Sequence, residues 1–189
     1  MLKRFTLSVA LAFVASSFAI GADEVKEAKL GDITLKVPAT WKQSQPSSRL
    51  RLGQFEIPAV EDDKEAAELA IFNFGGGGGV KANVDRWVGQ FYAEGRKSTV
   101  TQGKSEQGEY VFVDVTGTYK KPVGPPIRRQ TKAMKGARML AVILAVEGKG
   151  NYFLKMTGPN ATVSAAADGF RASFGGKADS EKPLERDAE

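Results

Sequence analysis

Two apolar stripes at helical spacing stand in a chain whose other apolar residues alternate with polar ones, and that contrast restricts the fold to a sheet carrying few helices. Val80, Val84, Trp87, Val88, Phe91 and Tyr92 recur at i, i+4, i+7, i+8, i+11 and i+12, with Asp85, Arg86 and Gln90 opposite. This spacing predicts an amphipathic helix closed by Gly95. Val163, Ala166, Ala167, Phe170 and Phe174 form the second stripe, stopped by Gly175 and Gly176.

Elsewhere the period is two. Ile33, Leu35 and Val37 alternate with Thr34 and Lys36 until Pro38, and Leu50, Leu52 and Phe55 alternate until Pro58. A third strand runs through Ala70, Ile71, Phe72 and Phe74 into five glycines at 75–79. The second half holds strands through Tyr110 to Tyr119, residues 139–146 and residues 152–156. The middle one is apolar almost throughout, as suits a strand covered on both faces. Gly148-Lys149-Gly150-Asn151 predicts the hairpin between the last two. The order β-β-β-α-β-β-β-α, without repeat or linker, predicts one domain over 23–176 containing both strands and helices.

The chain of 189 residues contains no His and no Cys. That excludes imidazole bases, thiol nucleophiles, disulfides and His or Cys metal sites. Its 42% apolar and 26% charged residues are those of an ordinary globular protein, whose core at this size folds without a covalent staple.

Both ends depart from that composition. Lys3 and Arg4 precede an uncharged run over 5–20, and Ala19, Gly21 and Ala22 are small. This is the pattern of a signal peptide over 1–22, cleaved near Gly21/Ala22. The mature chain is then a secreted or periplasmic protein, with no stable membrane anchor because the run is too short to span and no Cys is available for acylation. Residues 177–189 carry three basic and five acidic side chains and almost nothing apolar, which predicts a disordered tail. The body between the two ends keeps a net charge of +5.

A strand ending in Val37-Pro38-x-x-Trp41, three strands before an amphipathic helix with a central Trp, an antiparallel second half, and Leu154-Lys155-Met156-Thr157-Gly158-Pro159 before a terminal helix make 33–175 similar to the Mog1/PsbP-like fold. The resemblance implies an α+β fold, an α/β/α sandwich with helices packed on a central antiparallel sheet of about six strands. Members of that group are mostly non-catalytic accessory or binding proteins, among them the PsbP extrinsic photosystem subunits and small exported proteins. It supplies no catalytic residues and no cofactor.

Three local features remain. The glycine run joins a strand to a helix, a geometry that can bring backbone N–H groups to a phosphate. The P-loop pattern, however, needs Gly-Lys-Ser/Thr where this chain has Gly79-Val80-Lys81-Ala82. A flexible connection is the simpler reading, and with Trp41 it makes Trp41, Gly75, Gly76 and Gly77 the candidate wall of a small-ligand groove. Glu61-Asp62-Asp63 matches no calcium loop and reads as a charged turn. From 115 to 146 no residue is acidic, whereas Lys120, Lys121, Arg128, Arg129, Lys132, Lys135 and Arg138 gather around Pro122, Pro125 and Pro126. A Pro-rich loop with this charge suits an acidic protein face or an anionic envelope surface. Few aromatics interleave, so nucleic acid is not expected. The sequence thus points to an exported, non-enzymatic binding or accessory protein using the basic loop. A small-ligand binder and a carboxylate-dependent hydrolase are the alternatives.

Overall fold

The computed structural model describes residues 24–60, 63–75 and 79–184. The signal peptide read at 1–22 and the last five residues lie outside them. Ten strands and three helices follow in the order β1 (Val25–Leu30), β2 (Ile33–Pro38), β3 (Lys42–Ser44), β4 (Arg51–Ile57), β5 (Ala67–Asn73), α1 (Val80–Val88), β6 (Lys97–Ser105), β7 (Gly108–Pro122), β8 (Thr131–Val146), β9 (Gly150–Pro159), α2 (Asn160–Ala165), α3 (Ala167–Ser173) and β10 (Lys182–Pro183). None of the described helices is long and apolar enough to cross a membrane.

The main sheet is antiparallel, with eight strands in the order β10-β6-β7-β8-β9-β5-β4-β3, where about six were expected. The additional strands are short or polar edges that leave no apolar alternation in the sequence. A second difference concerns β2. Its alternation is as read, but it pairs only with β1, in a separate two-stranded hairpin. That hairpin lies over the main sheet: Leu30, Ile33, Leu35 and Val37 enter one core with Phe55, Leu69, Leu140, Val142 and Leu154, with Val163 of α2 and Phe170 of α3, and with Phe174 just after α3.

The other face of the sheet has its own core. Val84 and Trp87 of α1, with Phe91 beyond it, pack on Val113, Val115, Met139, Ala141, Ile143 and Phe153. Strand β8 therefore feeds both cores, Leu140, Val142 and Leu144 to one and Met139, Ala141 and Ile143 to the other. This is why residues 139–146 read as continuously apolar.

In β4 the alternation fails. A register shift between Arg51 and Gly53 turns Leu52 outward and Gly53 inward. A Cβ on Gly53 would stand 2.7 Å from a Leu30 methyl, so a larger residue there would have to displace the Leu30 side chain of the overlying hairpin. The helix predicted to reach Gly95 ends earlier, at Val88. After Gly89 the chain turns to pair with β7 instead, Tyr92 N–H donating to Thr118 O at 2.9 Å and Lys120 N–H to Gln90 O at 2.8 Å.

Residues 177–184 are not a disordered tail. Pro183 and Lys182 pair with Thr101 and Gln102 along the edge of β6. Glu181, its side chain 6% exposed, meets Arg171 at 2.9 Å and accepts from the Thr101 hydroxyl at 2.8 Å. The polar composition that predicted disorder is satisfied here by ion pairing and ladder bonds rather than by apolar burial.

Candidate functional site

The basic stretch read as a loop is mostly strand. β7 and β8 pair as far as Pro122 opposite Thr131, so the connecting loop spans only 123–130. β6 leaves β7 after Thr116, and β9 leaves β8 at Ala137. Beyond the backing supplied by residues 90–92, the two strands continue as a free arm. Val123 N–H donates to Gln130 O at 2.9 Å and closes its tip. Ile127 stands at that tip, 90% exposed.

The seven cations of the stretch divide into two groups. Arg138 is fixed at the base of the arm by two bonds to Asp114, of 3.0 and 2.6 Å, and one of 2.7 Å to Ser164. Lys120 donates to Gly89 O at 2.9 Å and lies over the Tyr92 ring. Lys121, directly across from Lys132, pairs with Glu65 at 2.5 Å, which relieves the like-charge contact between the strands. The Lys121 ammonium correspondingly holds the Glu65 carboxyl below its ordinary pKa. The side chains of Arg128, Arg129, Lys132 and Lys135 are exposed and make no hydrogen bond or ion pair with any described residue. The structure thus sorts three of the expected surface cations into architecture and leaves four with unpaired side chains along the arm: Arg128 and Arg129 beside Ile127 in the tip loop, Lys132 at the start of β8, and Lys135 beyond Met134 towards the root.

The groove expected between Trp41 and the glycine run is not formed by Trp41. Its ring is 3% exposed, inside the core beneath the β1–β2 hairpin. Gly75 is exposed at the end of β5, and its N–H donates to Asn73 Oδ1 at 2.7 Å. Gly76 and Gly77 lie outside the described residues, as do Glu61 and Asp62. Asp63 does have a role: its carboxylate accepts from the Thr162 N–H and hydroxyl at 2.8 and 2.7 Å, capping the first turn of α2 from far along the chain.

A groove does exist, on the α1 side of the main sheet. A nine-residue helix is about 14 Å long, whereas eight strands span roughly 34 Å. The core under α1 draws on β7, β8 and Phe153 of β9, takes only the partly buried Phe72 from β5, and takes no residue from β4 or β3. The resulting cavity, of about 450 Å³, is floored by β9 and β5, bounded by Arg51, Gln54 and Glu56 of β4, and walled by Tyr119, Lys121 and Met134 at the root of the arm. Across its floor run Gln54, Ala70 and Lys155 in register, with the buried Ala141 next in line on β8. The two alanines leave room for the lysine stem.

The Lys155 ammonium donates to Gln90 Oε1 at 2.5 Å and to the Tyr119 hydroxyl at 3.2 Å. Burial, reinforced by the charges of Arg86 and Arg51, pulls its pKa down to about 8. Burial also pushes Tyr119 up to about 12. The nearby ions are already committed: Arg51 to Glu68 at 2.8 Å, and Lys121 to Glu65. Sequence reasoning passed over Lys155. The signal was one lysine within Tyr152-Phe153-Leu154-Lys155-Met156, a cation in an otherwise apolar central strand. No group of three or more acidic side chains among the described residues is placed to hold a metal ion.

No family model matches the chain, and no curated protein does. Among solved structures the chain is similar to the solution structure of cyanobacterial PsbP (CyanoP) from Synechocystis sp. PCC 6803. The two are 12% identical with a TM-score of 0.47, over 90% of this chain and 99% of that one. The chemistry of the molecule lies in the residues of the arm and the groove.

Proposed function

We propose that the protein is a non-enzymatic accessory module that docks reversibly on an anionic surface through the tip of the β7–β8 arm. The observation that carries this reading is the set of four unpaired cations on one arm, Arg128 and Arg129 beside the exposed Ile127 at the tip and Lys132 and Lys135 following along β8. Each Lys or Arg held near an anionic bilayer contributes about 1 kcal/mol, and burying one isoleucine adds about 2 kcal/mol. Together they support weak, salt-sensitive docking and no permanent insertion.

The shape of the tip favours a lipid leaflet over a protein. A stable protein interface takes about 800 Å² from each partner, whereas the tip is a convex eight-residue loop with two strand ends. Read with the export signal at 1–22, the surface in question is a leaflet of the cell envelope.

Sedimentation with phosphatidylglycerol-containing vesicles tests this. Binding is expected at low salt, to be lost at high salt, and to be absent from phosphatidylcholine vesicles. Replacing Arg128, Arg129 and Lys132 together by Ser should weaken it about a hundredfold. Vesicle binding that survives the triple substitution, or no binding to the anionic vesicles, overturns the proposal; in the second case an acidic protein becomes the partner to seek.

A further inference from the structure

The groove beside α1 is separate in chemistry from the exposed tip, although the root of the arm forms one of its walls. Its floor holds an ammonium group whose two hydrogen-bond partners, the Gln90 amide oxygen and the Tyr119 hydroxyl, are both neutral. Buried charges are ordinarily paired, and an exception in a cavity marks a place where a counter-ion belongs. Among the described residues no carboxylate is in ion-pair contact with Lys155, because Glu68 is held by Arg51 and Glu65 by Lys121.

The cavity volume of about 450 Å³ falls within the range of small-molecule sites. Its lining combines apolar surface from Ala66, Ala70, Phe72 and Met134 with polar groups from Ser44, Gln54 and Thr157. Three carboxylates, Glu56, Glu65 and Glu68, stand around the groove and disfavour a ligand with several negative charges. A single carboxylate attached to a short apolar or hydroxylated body fits this combination, since its charge meets Lys155 and its body meets the groove walls.

We infer that this groove is a binding site for a small organic monocarboxylate, whose carboxylate pairs with the Lys155 ammonium between β5 and β8. The charged and titratable groups facing Lys155 are Arg86 of α1, Arg51 of β4, Glu68 of β5 and Tyr119 of the arm. Tyr119 remains a neutral hydrogen-bond acceptor up to about pH 12.

Hexanoate serves as the probe, with hexanol and inorganic phosphate as controls, in thermal-shift and proton–nitrogen NMR titrations of the full chain. Hexanoate at millimolar concentration is expected to raise the melting temperature at neutral pH and to shift amide signals of β5, β9 and residues 119–121. Hexanol and phosphate are expected to do neither. The Lys155→Met variant, close in volume, should weaken hexanoate binding at least about tenfold. Wild-type protein well above pH 8, where Lys155 has lost its proton, should lose the effect without any substitution. The triple Ser variant at Arg128, Arg129 and Lys132 should keep hexanoate binding intact, which separates this site from the tip. Absence of any hexanoate effect at neutral pH, or an effect that persists both in Lys155→Met and above pH 8, overturns the inference.

Discussion

Lys155 shows how one residue sets a pH dependence for the whole fold. Its folded-state pKa of about 8 lies below the ordinary lysine value of 10.5, so folding disfavours the proton. At pH values below about 8 both folded and unfolded chains are protonated, and the folded state bears the full desolvation penalty. As the pH rises from about 8 to 10 the folded chain sheds that proton first, and stability should increase by up to about 3 kcal/mol. Tyr119, raised from 10.0 to about 12, has the opposite sign: its contribution is lost as the pH passes 10. Tyr110, raised by burial and by the charge of Glu181, acts in the same direction. Urea titrations across this range should therefore show stability rising to a maximum near pH 10, with the rising limb abolished in Lys155→Met. A flat profile between pH 8 and 10 would mean that the ammonium is better solvated than its surroundings indicate.

At the scale of elements, the clearest departure from the sequence reading is the segment after α3. Polar and charged residues there predicted disorder, yet Glu181 sits between Arg171 and Thr101, and Arg171 also lies 4.0 Å from the centre of the Phe112 ring. Removing one member of a buried pair leaves the other uncompensated, at a cost of about 3 kcal/mol. Glu181→Ala should lose about that much in urea unfolding, and deletion of 177–189 at least as much, since it also bares the β6 edge. A loss below 1 kcal/mol, as for exposed pairs, would show that the segment contributes little. Strand β6 was missed for a related reason. Lys97–Ser105 carries a single large apolar residue, Val100, and is held by its ladder to β7 and by β10. By contrast, the α2–α3 stripe was legible: Val163, Ala166, Ala167, Phe170 and Phe174 are all buried, although a turn at Ala166 divides the helix in two.

For the molecule as a whole, the two cores share β8, so neither should survive the loss of the other. Trp41 lies in the core beneath the β1–β2 hairpin and Trp87 in the core beneath α1. Each can report separately in the single-tryptophan variants Trp87→Phe and Trp41→Phe. Fluorescence-monitored unfolding of each variant should coincide with its own circular-dichroism transition, as one cooperative unit requires. A tryptophan transition displaced from the loss of secondary structure would show that one layer unfolds alone. By itself the sequence determined the two helical stripes, the doubly buried β8 and the basic stretch over residues 120–138. Each of these is a local pattern imposed by the periodicity of one element against one apolar layer. Only the tertiary structure decided which cations remain free, that Trp41 is core rather than groove, and that Lys155 faces a cavity. Those outcomes depend on partners distant in sequence, such as Asp114 for Arg138 and Glu65 for Lys121, and on the mismatch between a short helix and a wide sheet. No window of residues records such distances.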